Sequence, residues 1–219
     1  MCGRFSFSDL RGLSMYFKIN LPRGVKPRYN IAPTQEILAL VYNKGLQAVY
    51  FRWGLLPPWS KNIGPGLINA RAETVEQKLS FRQSLRNKRC LLPADGFYEW
   101  KKEGKKKKPY RITPQGGGLF FFAGLWDTWK SPRGETINSC AIITTAANSM
   151  LKPIHNRMPV ILSKEALKTW LARDTDLFTL KSLLTPYPSE LLAAYEVSTL
   201  INNPRHDNPD VLQPLTKVD

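Results

Sequence analysis

The chain has 219 residues, of which 42% are hydrophobic and 11% are aromatic, so it can form a core and is not a disordered polymer. Its net charge is +15, from 32 Lys and Arg against 17 Asp and Glu. No apolar run approaches the roughly 18 residues of a membrane helix, and no signal-peptide segment opens the chain. We therefore expect a soluble, cytoplasmic protein without a membrane partner.

Apolar alternation and turn residues predict mostly strands in the first two thirds of the chain. The predicted elements, in order, are a helix at residues 8–17 with Ser8 as its N-cap, a hairpin of strands 37–42 and 46–53, a helix at 73–87, a buried strand at 89–94, a hairpin of strands 97–100 and 109–113, strands 119–129 and 137–145, and helices 148–151, 164–172 and 174–184. This order predicts a single α+β domain over residues 1–219, rich in strands and with peripheral helices.

The positive charge points to a polyanionic partner. Residues 101–108 contain six lysines and one glutamate, which is five of the fifteen net positive charges. A solvated hairpin tip explains that run. The remaining excess is spread through the chain and favours nucleic acid as the partner.

The three cysteines are too few, and too far apart, for a disulfide framework or a structural zinc site. Cys90 and Cys140 lie in apolar runs and are expected to be inert core residues. We expect no metal and no cofactor.

Cys2 stands where removal of Met1 would expose a backbone amine beside a thiol. The amine titrates at about 7.7–8.0 and the thiol at about 8.5, so both reach their nucleophilic forms near neutral pH. Such an amine can form a Schiff base with an aldehyde, and the thiol can then close a thiazolidine ring. Taken alone, the position favours simple loss of Met1 with no further reaction, and only the rest of the chain favours the reactive interpretation.

Two further side chains are candidates for proton transfer. His155 is one of only two histidines, and it lies beside Arg157 in a loop that enters an apolar strand. Glu99 stands between two aromatic residues, where a buried carboxylate would need a partner or a raised pKa. Simple strand alternation, with Glu99 facing solvent, is the competing interpretation.

Other polar and aromatic residues suggest contacts to nucleic acid. Asn69 and Arg71 would share one face of an extended segment, where Arg71 could bind phosphate; a salt bridge from Arg71 to Glu73 is the alternative. Trp53 and Trp59 could stack on bases, although core packing explains each of them as well.

Taken together, the motifs of the chain resemble those of the SOS response-associated peptidase (SRAP) family. They are MCGRF at 1–5, YNIAPT at 29–34, RWGL at 52–55 with Pro58 and Trp59, NARAET at 69–74, RCLLPADGFYEW at 89–100, FAGLW at 122–126, TTAAN at 144–148, HNRMP at 155–159 and NNPR at 202–205. The resemblance runs from Cys2 to about residue 215. The chain is similar to the bacterial enzyme and to its eukaryotic counterpart that binds 5-hydroxymethylcytosine-containing DNA.

The resemblance implies an SRAP-type fold and a sensor of abasic sites in single-stranded DNA. In that family the N-terminal cysteine, freed by self-directed removal of Met1, captures the ring-opened sugar as a thiazolidine DNA–protein crosslink. Carried over by motif, Cys2 is the nucleophile and Asn69 orients it. Glu99 transfers protons and helps to remove Met1, and His155 assists ring opening and crosslink reversal.

The same resemblance implies the DNA-binding surface. Arg4, Arg71 and Arg157 would hold phosphates, and Trp53 and Trp59 would wedge or stack at the bases. The remaining expected DNA contacts fall within the family motifs and are Asn30, Pro33, Thr144 and Thr145. We expect a monomer that is associated with the nucleoid when it is bound to DNA.

Two other functions remain open at this stage. A cysteine peptidase acting in trans would use Cys2, His155 and Asn69 as nucleophile, base and orienting residue. A non-catalytic binder of modified DNA would not need Cys2.

Overall fold

The strands of the chain form two sheets in a computed structural model that describes residues 2–131 and 133–215. The described strands are β1 (Phe5–Phe7), β2 (Arg28–Ile31), β3 (Glu36–Tyr42), β4 (Leu46–Trp53), β5 (Asn69–Arg71), β6 (Arg89–Ala94), β7 (Gly96–Glu103), β8 (Lys106–Pro114), β9 (Phe120–Lys130), β10 (Thr136–Ala146), β11 (Arg157–Pro159) and β12 (Leu192–Glu196). One sheet has the order β12-β8-β7-β1-β2, and the other contains the remaining seven strands.

The seven-stranded sheet closes on itself as a small barrel. The pairings run β10-β4-β3-β6-β9, and β9 pairs with β10 again to complete the circuit. Most pairs are antiparallel, but β4 and β5 both run parallel to β10. Strand β6 is buried along its whole length, as its continuous apolar run predicts.

The core between the two sheets is built from aromatic rings. Phe5 of β1 contacts Trp53 edge-to-face at 5.2 Å and Phe122 at 5.9 Å. Phe97 of β7 contacts Phe122 at 6.0 Å. Edge-to-face pairs add to the burial of apolar area, and they hold β1 and β7 against the barrel. This packing carries the N-terminal segment into the space between the sheets.

The helices are short and peripheral. They are α1 (Gly12–Tyr16), α2 (Arg82–Asn87), α3 (Ala166–Leu171) and α4 (Leu177–Ser182). None of the helices within the described ranges is long and apolar enough to cross a membrane. The prediction of a β-rich α+β fold with peripheral helices is confirmed.

Several predicted helix boundaries are wrong. Ser8 does not cap α1, because its hydroxyl and its backbone N–H both bond to Asp95. Asp9 accepts instead from the N–H of Gly12 at 2.8 Å. Residues 73–81 form successive turns, and residues 148–151 form a turn closed by the Asn148 side chain.

Cys90 and Cys140 are fully buried free thiols, as expected from their apolar surroundings. The lysine run forms the exposed end of the β7–β8 hairpin, where Gly104 takes a positive φ of 59°. The predictions that concern Met1 and the end of the chain beyond residue 215 lie outside the described residues.

Candidate active site and DNA-binding surface

Cys2 and Asn69 meet between the two sheets. Cys2 lies just before β1 and is fully buried, and the Nδ2 of Asn69 donates to its backbone carbonyl at 2.9 Å. Asn69 begins β5, whose backbone is aligned by pairing with β10. The amide of Asn69 therefore fixes the backbone carbonyl of Cys2, and the orienting role implied for Asn69 stays a prediction.

Glu99 is buried in this same space, with 3% of the residue exposed. It shares a strand face with Phe97, and that face of β7 packs toward the barrel. The opposite face, which carries Tyr98, packs under the C-terminal segment near Ile201. Because both faces of β7 are covered, the solvent-facing interpretation of Glu99 is wrong. Burial raises the pKa of Glu99, and the nearby His155 partly offsets this effect.

His155 approaches Glu99 from the barrel side. Its Nδ1 lies 4.0 Å from the Oε1 of Glu99 and 3.0 Å from the backbone nitrogen of Arg157, which donates to it. When Nδ1 accepts this bond, the ring proton lies on Nε2. About 28% of the His155 side chain is exposed, so this histidine connects the buried carboxylate to the surface.

The environment of the Cys2 thiol disfavours its ionisation. Burial raises its pKa well above the ordinary value, and the negative charge of Glu99 raises it further. At neutral pH the sulfur is therefore protonated in this structure, and it is not a preformed thiolate. A reaction that starts at sulfur is disfavoured, whereas one that starts elsewhere and uses sulfur later is compatible with this environment.

Arg4 is held by Asn30 of β2 and by the C-terminal segment. Its Nη1 donates to the side-chain oxygen of Asn30 at 2.6 Å and to the carbonyl of Ile201 at 2.7 Å. Its guanidinium also lies 5.9 Å from the ring centroid of Trp100. No carboxylate pairs with Arg4 within the described part of the chain, so its positive charge remains available to an anion.

Arg157 is held by a carboxylate. Its guanidinium makes two bonds to Glu73, at 2.6 and 3.0 Å, and a third to the carbonyl of Thr144 at 2.6 Å. The proposed alternative of a salt bridge from Glu73 to Arg71 is replaced by this pair. Arg71 is exposed on β5 and takes part in no ion pair among the described residues. Its positive charge is therefore more available to an anion than that of Arg157.

Trp59 stands on a loop that is fastened at its base. The residue is 65% exposed. Below it, the backbones of Gly54 and Gly66 approach so closely that a Cβ at either glycine would overlap the other segment, at 2.1 Å from the Pro65 carbonyl and 2.2 Å from the Gly54 carbonyl. Both glycines also have positive φ, at 125° and 75°. A flat exposed ring on an anchored loop can stack on a base.

Four predicted DNA contacts lie in the interior. Asn30, Trp53 and Thr144 are fully buried, and Thr145 is 5% exposed. The indole of Trp53 donates to the carbonyl of Ile68 at 3.0 Å, next to Asn69, and offers no face to a base. The stacking prediction for Trp53 therefore disagrees with the structure, and core packing explains this residue.

Asn30 also has a structural task. Its Nδ2 lies within hydrogen-bond distance of the carbonyls of Asn203, at 3.0 Å, and His206, at 2.9 Å, while its oxygen accepts from Arg4. It joins the N-terminal segment to the C-terminal loop. Pro33 is half-buried, and the adjacent Thr34 is exposed with a φ of 74°, which is strained for a β-branched residue.

The sequence does not reveal the partners of Glu73 or of the loop at residues 202–206. Glu73 pairs with Arg157 instead of Arg71, and the loop partners of Asn30 lie more than 170 positions away along the chain. The only sequence signal for these residues is that Glu73 and residues 202–205 fall within the family motifs. In residues 2–131 and 133–215, no group of three or more His, Cys, Asp or Glu residues is arranged to hold a metal ion.

Comparison with known proteins places this geometry in a family. The sequence profile described as SOS response associated peptidase (SRAP) matches residues 1–204. The abasic site processing protein YoqW of Bacillus subtilis is 46% identical over 222 residues, covering 97% of this chain and 99% of YoqW. The abasic site processing protein HMCES of Xenopus tropicalis is 33% identical over 221 residues, covering 85% of this chain and 66% of HMCES. A solved structure from Bacteroides thetaiotaomicron has a TM-score of 0.87 at 28% identity, covering 98% of this chain and all of that one. The chain belongs to the SRAP family.

Proposed function

We propose that this protein processes abasic sites in single-stranded DNA by forming a covalent crosslink through Cys2. The observation that carries the proposal is the placement of the Cys2 backbone, held by Asn69 at 2.9 Å, beside Glu99 and His155. The abasic site processing activity named for relatives over nearly the whole chain supports the substrate class.

The reaction begins with the release of Met1. Hydrolysis of the bond between Met1 and Cys2 consumes one water, releases methionine and leaves a free amine on Cys2. That amine attacks the aldehyde carbon of the ring-opened sugar, and loss of water gives an imine. The thiol then adds to the imine carbon, its proton passes to the nitrogen, and a thiazolidine ring closes.

Glu99 suits the proton transfers in these steps. A carboxyl whose pKa is raised by burial can both accept and donate a proton closer to neutral pH than an exposed glutamate can. His155, 4.0 Å from Glu99 and partly exposed, can exchange that proton with solvent or with the sugar hydroxyl. Asn69 keeps the carbonyl of Cys2 fixed while the amine reacts.

The DNA backbone would be held by arginines around this pocket. Arg71 is exposed, Arg4 lacks a carboxylate partner within the described residues, and Arg157 is fixed beside β10. Trp59 would stack against a base near the lesion. We infer that the protein acts as a monomer, since one chain supplies the whole proposed set, and that it acts at the nucleoid.

The raised pKa of the Cys2 thiol argues against a cysteine peptidase that acts in trans. Such an enzyme needs a thiolate prepared for attack on a substrate carbonyl, and both burial and the Glu99 charge oppose thiolate formation here. In the proposed order the amine attacks first, and the thiol reacts only when an electrophilic imine carbon lies beside it.

The test uses mature protein and two single-stranded oligonucleotides, one of them with an abasic site, on a denaturing gel. We expect a heat-stable shifted band that requires the lesion. Cys2→Ser keeps the amine and loses the sulfur, so it should form an adduct that survives only after borohydride reduction. A Cys2→Ser adduct as durable as that of the parent would exclude the thiazolidine.

Assays of peptide cleavage and of non-covalent DNA binding, run beside the denaturing gel, separate the competing functions. Cleavage of added peptides without a lesion-dependent band would indicate a peptidase acting in trans. Retention of full DNA-binding function by Cys2→Ser, with no covalent band from the parent protein, would indicate a non-catalytic binder. In a control variant a bulky residue is inserted between Met1 and Cys2, so that Met1 is retained. This variant should form no adduct, because the nitrogen of Cys2 is then part of an amide.

A further inference from the structure

An apolar groove of about 670 Å³ opens on the surface beside α3. We call it the α3 groove. Its walls come from three separate segments, namely the end of α1, the β3–β4 turn, and α3 with the loop that follows. The lining residues that matter here are Tyr16, Phe17, Tyr42, Leu46, Leu167 and Leu171.

The floor of the α3 groove is aliphatic and well packed. Leu167 and Leu171 are 4% and 7% exposed, so they form a rigid base. Tyr42 at the rim is 53% exposed, and Met15 on the adjoining helix is 83% exposed. Apolar side chains left in contact with water around a concave site are typical of surfaces that bind another molecule.

The rim of the groove is positively charged. Lys164, Lys168 and Arg173 line it, and Asp174 is the only acidic residue among its lining residues. Within the part of the chain that the structure describes, none of these three cations has a carboxylate within 4.0 Å. Lys164 instead lies over the ring of Tyr16 at 5.9 Å, and Arg173 donates to the Asn43 side chain at 3.2 Å. The cations are therefore free to pair with an incoming anion.

The groove lies far from the site at Cys2. Strand β4 runs from Leu46, which lines the groove, to Trp53, whose indole bonds next to Asn69. Seven steps of about 3.3 Å along a strand span roughly 23 Å. The α3 groove therefore lies outside the candidate active site, and the residues of that site do not account for its charge and shape.

The distribution of charge and ring faces favours a peptide over a nucleic acid. Tyr16 and Phe17 are already engaged edge-to-face with Phe121, at 4.8 and 5.4 Å, and the floor is aliphatic, so the groove offers little for bases to stack on. The cations extend from the turn before α3 to the loop after it. That spread matches several carboxylates along a chain better than the single head group of a lipid.

We propose that the α3 groove is a docking site for an acidic peptide segment of a partner protein, with bulky apolar side chains that fill the groove between carboxylates that pair with Lys164, Lys168 and Arg173. Apolar anchoring gives such a contact its affinity, and the charged rim steers association and selects against other peptides. The partner's segment would bring that protein to the lesion without covering Cys2.

The test is a selection of displayed random 12-residue peptides on the full-length protein. Enriched peptides should combine aspartate or glutamate with leucine, isoleucine, phenylalanine or tryptophan. One such peptide, labelled with fluorescein, is then measured by anisotropy. The double charge reversal Lys164→Glu with Lys168→Glu should weaken its binding by at least about tenfold, and Tyr42→Ser should weaken it as well.

Matched controls change the same chemistry elsewhere. Lys105→Glu with Lys106→Glu alters the net charge equally at the β7–β8 tip, and Phe178→Ser removes an apolar side chain that is 85% exposed on α4. Both should bind the peptide like the parent. All variants should keep the parent's thermal unfolding midpoint, because every substituted residue lies at the surface.

Three results would overturn the proposal. Enriched peptides without acidic residues would show that the cations of the rim do not select the peptide. Equal loss of binding in both double reversals would show a non-specific charge effect. Displacement of the peptide by a lesion-free single-stranded oligonucleotide, with the displacement lost in the groove variant, would make the surface a nucleic-acid site.

Discussion

Replacing Glu99 by glutamine should slow the chemistry and at the same time stabilise the fold at neutral pH. The carboxylate is 3% exposed, and burial raises its pKa. A buried charge that is not fully compensated costs free energy, about 1.4 kcal/mol for each unit by which the pKa is raised. Glutamine keeps the shape of the side chain and removes that cost.

The pH dependence follows from the sign of the shift. Because the pKa of Glu99 is higher in the folded protein than in the unfolded chain, the folded state binds more protons between the two values. The parent protein should therefore lose stability as the pH rises through this window, from about pH 4.3 upward. Glu99→Gln should lack this component, so its stability advantage should be absent at low pH and reach its full size above the folded pKa.

Urea unfolding from pH 4 to pH 8 measures this difference. Glu76→Gln is the matched control, because Glu76 pairs with Lys181 at the surface at 2.8 Å, with 37% of its side chain exposed. An exposed pair of this kind contributes roughly 0–1 kcal/mol, so that variant should show no gain with rising pH.

Crosslinking to an abasic oligonucleotide is measured on the same Glu99→Gln preparation. Loss of a general acid–base catalyst should slow it by about 10²–10⁴-fold. Expression behind a cleavable leader that ends before Cys2 separates this effect from Met1 removal. A variant that is less stable than the parent at pH 8 and crosslinks at the parent rate would refute the reasoning, since Glu99 would then be a structural ion-pair partner and not a proton carrier.

Three further predictions concern other residues. Trp53→Ala should lower the free energy of unfolding, measured in urea, by about 3–5 kcal/mol because Trp53 is fully buried. Trp59→Ala should change it by less than about 0.5 kcal/mol and should weaken DNA binding, measured by anisotropy, by about 1–3 kcal/mol. Similar behaviour of the two variants in both assays would contradict this prediction. Arg71→Ala should flatten the salt dependence of single-stranded DNA binding by about 0.7 in log–log slope, and an unchanged slope would remove Arg71 from the phosphate contacts. Asp95→Ala should cost about 3–5 kcal/mol in urea unfolding, because it leaves the buried Arg111 without the carboxylate that it meets at 3.0 Å; a loss below about 1 kcal/mol would show that Arg111 is compensated elsewhere.

The longer strands were predictable because their signals are local. The β3–β4 hairpin ends within one residue of the prediction at each boundary, since alternation and the turn at Gly45 lie within one stretch of chain. The sequence does not predict β1, β2, β5, β11 and β12. Each has at most five residues, and each pairs with a strand that is distant along the chain, as β5 does with β10 and β12 does with β8. So short a segment carries too little periodicity for a sequence pattern to reveal it.

The candidate site likewise has features that the sequence predicts and features that it does not. Residue type and the motifs pointed to Cys2, Asn69, Glu99 and His155, and the structure brings all four into one region. Burial could not be predicted for single residues. Trp53 and Trp59 are chemically identical and only six positions apart, yet one is fully buried and the other is 65% exposed. Between them Gly54 contacts Gly66 of another segment, and a contact of this kind leaves no local pattern in the sequence.

The position of Cys2 depends on contacts between separate segments of the chain. Strand β1 is short, and Cys2 precedes it, so local backbone pairing alone cannot hold the N-terminal residues. The fixed points are Phe5, locked between Trp53 and Phe122 in the core, and Arg4, braced by Asn30 and the C-terminal loop. Asn69 then fastens the carbonyl of Cys2 from the opposite sheet. The buried Trp53 thus helps to set the position of β1 by packing against Phe5, and in the proposed reaction it would thereby help to position the amine of Cys2.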